Sequence, residues 1–240
     1  MKTQLCAIIV CGLVWPMATR FGFVSAVPDY DLAASARAEA NEFLDNLLLT
    51  QLPRVLIDRP ERLRNFSCHI RKRLFGGVLP THRDIHANFT DGTLNGLLGI
   101  RRLSDCQPAF EDDRYVVVSC KVDIGSLRIN YSSSVQGFDI WGSIAQPQIE
   151  VDFEGSSLTF EAKQMAPDRP HLSTLAINMM RSNVHYRSLG FNSERDRLFR
   201  QHILRSLLPQ VFDLINGRLR HALQDALRQE SVLLPEVRVD

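Results

Sequence analysis

His82, Asp84 and His86 alternate along a β-type segment, so a strand would turn two imidazoles and a carboxylate to one side. Such a set has the donors for a transition metal ion. The same side carries Asn88, acceptor of the sequon Asn88-Phe89-Thr90, which belongs in solvent, and the set is therefore read as a polar strand surface holding no metal. The chain has no Gly-x-Ser-x-Gly elbow, no His-Glu-x-x-His pair and no phosphate-cradling glycine loop. No motif supports an enzyme, and none calls for a cofactor.

Lys2 is followed by the apolar run Leu5 to Val14 and the small-residue stretch Val24-Ser25-Ala26, the form of a secretory signal peptide. Cleavage is expected after Ala26, with Ala18 the alternative. Pro16 and Arg20 break the run short of the ~20 residues that a spanning helix needs. The expectation is a secreted, extracellular chain without a transmembrane segment, whose residues 27–240 form a single domain. Of 28 basic residues, Lys2 and Arg20 leave with the signal, so 26 remain against 27 acidic ones. A balance this close to neutral argues against a nucleic-acid binder, which needs a basic excess to displace phosphate counterions. Arg54, Arg59, Arg62, Arg64, Arg71, Lys72 and Arg73 nevertheless crowd one stretch and could meet an anionic lipid surface. A solvated connector is the plainer reading.

Cys68, Cys106 and Cys120 survive processing, and an odd number in a secreted chain implies one bridge and one leftover thiol. A hairpin turning at Glu111-Asp112-Asp113-Arg114 sets Cys106 and Cys120 opposite each other, which makes them the preferred disulfide. Cys68 with Cys120 is the competing pair, since both fall on the apolar phase of their strands.

These residues need elements to hold them. Val116, Val118, Cys120, Val122 and Ile124 alternate with Tyr115, Val117, Ser119, Lys121 and Asp123, the period of a half-buried strand. The apolar phase slips by one after Gly125, to Leu127, Ile129 and Tyr131, which suggests a bulge or bend. Ile149, Val151 and Phe153, then Leu158, Phe160 and Ala162 beyond Gly155-Ser156-Ser157, read as a hairpin. From Ala166 to Phe191 a mixture of strand and loop is expected. The sequon acceptors Asn65, Asn88 and Asn130 all fall on the polar phase, which marks the outer face and offers three glycosylation sites.

Helical spacing of Leu32, Ala33, Ala36, Ala40, Phe43, Leu44, Leu47 and Leu48 predicts a first helix over 30–52 that stops at Pro53. A second apolar stripe from Leu198 to Leu227 predicts a long last helix over 195–229, kinked at Pro209 and weakened at Gly217. The fold class is α+β, a curled antiparallel sheet wrapped around a long C-terminal helix with a second, N-terminal helix.

The stretch DGTLNGLLGIRRLSDC (Asp91 to Cys106), followed by RYVVVSCKVDIGSLRINY (Arg114 to Tyr131), resembles the mite group-seven allergen family of the tubular lipid-binding superfamily. Gly92, Gly96, Leu97, Arg102, Asp105, Val116, Val117, Gly125, Leu127 and Tyr131 carry the match. The resemblance implies one module similar to half of a bactericidal/permeability-increasing protein, and similar in plan to juvenile hormone-binding and takeout proteins, which hold lipids or terpenoids between helix and sheet. Cysteine placement departs from those relatives, so neither their disulfides nor their pocket residues carry over.

The expected function is non-enzymatic binding of a lipid or other apolar small molecule between the sheet and the last helix. Leu204, Leu208, Phe212, Ile215 and Leu219 are the expected helical wall, and Val118 and Val122 face them from the sheet. The alternative is an innate-immune or host-interaction protein that binds bacterial lipid or a protein partner through its basic surface.

Overall fold

The computed structural model describes residues 29–57, 59–71, 84–229 and 234–235. The expected signal peptide, residues 1–26, and Lys72, Arg73 and His82 lie outside them. Helix α1 (Asp29–Asn46) runs into a π-helical turn, Leu47–Gln51, and then into α2 (Leu52–Val55). The chain does not stop at Pro53 as expected. The proline ring would collide with a carbonyl of a regular preceding turn, and the widened turn just before it takes up that misfit.

Among the described residues twelve strands follow: β1 (Glu61–Arg62), β2 (Phe66–Ile70), β3 (Ile85–Asn95), β4 (Arg101–Arg102), β5 (Phe110–Asp112), β6 (Tyr115–Asp123), β7 (Arg128–Gln136), β8 (Ile144–Ala145), β9 (Gln148–Asp152), β10 (Ser157–Gln164), β11 (His171–Met179) and β12 (Asn183–Tyr186). They form two antiparallel sheets. The first is ordered β1-β3-β7-β9-β12, with β2 also on β3 and β8 also on β7; the second is ordered β11-β10-β6-β4, with β5 also on β6. The turn at Asp113-Arg114 closes the expected β5–β6 hairpin, with Asp112 opposite Tyr115.

The curl comes from corners at which the chain leaves one sheet for the other. Ile124 and Leu127 are both buried on either side of Gly125, and the Leu127 N–H donates to the Ile124 carbonyl at 3.2 Å, so the phase slip is a turn between β6 and β7. β9 and β10 meet at a second corner. They were expected to pair as a hairpin, but β9 pairs with β7 and β12, while β10 pairs with β6 and β11. A glycine turn between two alternating runs looks the same locally in both cases. What decides is the neighbour: the buried Ser156 hydroxyl donates to the Arg181 carbonyl and accepts the Arg181 N–H, both at 2.8 Å, so this corner is tied to the one between β11 and β12.

The last helix is α3 (Ser193–Leu214), a π-helical turn Ile215–Leu219, and α4 (Arg220–Leu227). Asn192 caps it by accepting the Arg195 N–H at 2.9 Å. Phe199, Ile203, Leu207, Val211, Ile215, Leu219, Leu223 and Leu227, one residue in four, are all buried. Such a row drifts about 40° per step around a regular helix. The wide turn at Ile215–Leu219 keeps it in line with the core.

Candidate functional site

The candidate site is the seam where this helix lies on the sheets. Val118 and Val122 on β6, and Ile215 and Leu219 in the π-helical turn, are buried in one apolar cluster. Leu204 and Leu208 are half-buried and pack on that cluster from its rim, while Phe212 is 38% exposed and faces outward. The expected wall thus divides, because the inward row along α3 runs Ile203, Leu207 and Val211, one position round from Leu204, Leu208 and Phe212. Leu204 and Leu208, with Arg197, Arg200, Gln201 and Arg205, also line a shallow, open hollow of about 550 Å³ on the outer flank of α3, bordered by this helix alone.

The two ends of the seam differ. At the start of α3, Phe199 lies among Tyr186, Phe191 and Phe89, with ring centres 5.2, 5.4 and 6.0 Å away, and Phe66 stacks on Phe89 at 4.4 Å. Rings fill that end. Farther along, the helical side of the seam is aliphatic from Ile203 to Leu227 except at Gln210.

Gln210 is a buried amide in an apolar row, and its hydrogen bonds go to the backbone of two residues, Arg64 and Ser206. Its Oε1 accepts the Arg64 N–H at 2.7 Å, and its amide donates to the Arg64 and Ser206 carbonyls at 3.4 and 3.3 Å. The Tyr131 hydroxyl donates to the same Arg64 carbonyl at 2.8 Å, and burial pushes its pKa up to about 12. Near the aromatic end, the Tyr186 hydroxyl donates to Asp196, whose other oxygen accepts Arg200 Nε at 2.7 Å. Burial would raise the Asp196 pKa, but the hydrogen bonds from Arg200 and Tyr186 outweigh it and hold the carboxyl below its ordinary range. Arg200 also donates to the Val184 carbonyl and lies 4.8 Å from the Tyr186 ring centre. These bonds fix the first turns of α3 to β12.

The other helix is held by the stretch that carried the family resemblance. Arg102 grips Asp45 with two hydrogen bonds, at 3.1 and 2.9 Å, and reaches Asp105 at 3.4 Å. Asn41 donates to Asp105 at 3.0 Å and accepts the Cys106 N–H at 2.8 Å. Cys106 and Cys120 form the disulfide, their Cα atoms 4.4 Å apart. Cys68 is the free, buried thiol opposite Ala87, and burial pushes its pKa up to about 11. Gly92 is the place where the Tyr131 ring lies flush against backbone, since a Cβ there would come within 2.2 Å of the ring.

The chain is similar to a tick salivary protein. It is 22% identical over 218 residues to the salivary anticoagulant protein P23 of Ixodes scapularis, a match covering 87% of this chain and 94% of that one. No family model matches. Among solved structures, a lipopolysaccharide binding protein matches 84% of this chain and 39% of its own, with 12% identity and a TM-score of 0.39. Takeout 1 of Epiphyas postvittana matches over 82% of this chain and 86% of its own, with 10% identity and a TM-score of 0.27.

Asn65, Asn88 and Asn130 are all exposed. Of the three residues read as a polar strand surface, Asp84 and His86 lie together on the outer face, and His69 of the neighbouring strand joins them. Sequence reasoning missed His69 because it is distant in the chain. Gln210 left a legible signal, a polar residue between Leu207 and Val211 on an apolar stripe. The Tyr186, Asp196 and Arg200 group left none, because the local pattern has no register between β12 and α3.

Proposed function

We propose that this chain is a secreted, non-enzymatic binding protein for a lipid or other apolar small molecule held between the sheets and the last helix. One observation carries the proposal. The inward row of the last helix is buried against apolar faces of both sheets, while Leu204 and Leu208 leave the flank of that seam half open. An acyl or isoprenoid chain entering there would replace water on apolar surface, at roughly 25 cal/mol per Å² buried. Arg197 and Arg205 in the hollow on that flank suit an anionic headgroup left outside. The similarity in sequence pattern to mite group-seven allergens points the same way.

A fluorescent long-chain fatty acid tests this in solution. Saturable emission gain at one probe per chain, weakened by Leu208→Glu, is the expected result. Unsaturable partitioning that ignores Leu208→Glu would count against the proposal.

The match over 94% of a salivary anticoagulant favours a second reading, a host-interaction protein that delays clotting through a protein partner or an anionic lipid surface. The exposed Arg59, Arg62 and Arg71 would serve as contacts. Prolonged plasma clotting that is lost when these three become Ser would support it. Glycans on Asn65, Asn88 and Asn130 belong to the same extracellular account, and a mass shift on glycosidase treatment would reveal them.

A further inference from the structure

The geometry points to a surface site for a transition metal ion of the zinc, copper or nickel class, built from His69, Asp84 and His86 on the outer face of the first sheet. It is independent of the seam. His69 on β2 and His86 on β3 are directly opposite in register, their rings stacked with centres 4.3 Å apart and planes 12° from parallel. His69 Nε2 lies 3.1 Å from Asp84 Oδ2, and the ligand atoms of all three residues fall within 4.8 Å of one another.

Two strands therefore bring three donors to one spot, and the backbone beneath them is fixed. Asp84 immediately precedes β3, two residues from His86, so strand alternation puts both on one side. The flanking residues Cys68, Ile70, Ile85 and Ala87 are buried on the other side, with Cys68 opposite Ala87 and Ile70 opposite Ile85. Neither strand can slip without exposing that set. Bonds to zinc of about 2.0–2.1 Å require closer donors than 4.8 Å, and side-chain rotations of exposed residues can supply that approach without moving the strands.

Donor chemistry selects the ion. Two neutral imidazoles and one carboxylate suit zinc, copper and nickel, whereas calcium and magnesium require a shell of oxygens. Three protein donors leave at least one position to water or to a donor from another molecule. The Asn88 sequon that made this face look merely solvated is compatible with the site, since Asn88 is two residues beyond His86.

Isothermal titration of the full secreted chain, carrying no histidine tag, with zinc ion alone tests the site. Saturation near one ion per chain is expected, with His69→Ala and His86→Ala each weakening it by roughly tenfold or more. His171→Ala, on β11 of the second sheet, should leave it unchanged, and the denaturant midpoints of the His69→Ala and His86→Ala variants should match the parent, which separates ligand loss from misfolding. No saturable uptake, equal uptake by the His69→Ala/His86→Ala double variant, or loss on His171→Ala alone would overturn the assignment.

Discussion

Tyr131 and Cys68 are both acids that burial keeps neutral, and both tie stability to alkaline pH. Burial pushes the Cys68 thiol up to about 11 from an ordinary 9.0, and the Tyr131 hydroxyl up to about 12 from 10.0. The unfolded chain gives up each proton first, so the stabilisation is complete below the ordinary values and is lost as pH rises through the shifted ones. The urea midpoint should fall steadily from pH 9.0 upward, and Cys68→Ala should flatten the part of that slope below about 11. A colorimetric thiol reagent at pH 8 should find no reactive thiol in the folded mature protein and one after denaturation. Tyr131→Phe removes the bond to Arg64 and should cost about 1 kcal/mol by urea titration. Replacing Cys106 and Cys120 together by Ala should cost about 3 kcal/mol, the entropy of opening their loop. That bridge was legible because the turn at Asp113 lies midway between the two residues. Cys68 competed on phase alone, and its true opposite, Ala87, is fixed by pairing across a segment whose register the sequence does not state.

At the scale of elements, the last helix separates mean spacing from actual spacing. Leu207 is fully buried and Leu204 is half-buried, so Leu207→Ala should cost about 2–5 kcal/mol and Leu204→Ala distinctly less by denaturant unfolding. Equal costs would mean that the helix presents another face. The stripe itself was plain in the sequence, but a regular period could not choose between Leu204, Leu208 and Phe212 and the row one position round. The π-helical turn that settles the choice, Ile-Asn-Gly-Arg-Leu, has only Gly217 to mark it. Pro53 misled for a related reason, because a widened turn let the first helix pass a residue that normally ends one. The strands were legible as strands. Their partners were less so, since β9 and β10 carry the pattern of a hairpin and are joined by a corner instead.

The described residues form two antiparallel sheets laced at their corners, with one long helix packed on both and a second helix clamped to β4 of the second sheet through Asp45 and Arg102. The expectation of a curled sheet around a long helix followed from order and phase alone, because alternating strands with one apolar face need a cover, and two amphipathic helices supply it. No helix among the described residues is long and apolar enough to cross a membrane. Rings occupy the seam where α3 begins, aliphatic side chains occupy the remainder, and the half-open flank at Leu204 and Leu208 is the entry we propose for a long apolar molecule. Native mass spectrometry of the protein secreted from eukaryotic cells and stripped of glycans puts that directly to the test. A co-purifying adduct of lipid mass, released on unfolding and diminished in Leu208→Glu, is the expected spectrum; a bare polypeptide mass from several expression hosts, unchanged after incubation with lipid extract, would contradict a carrier.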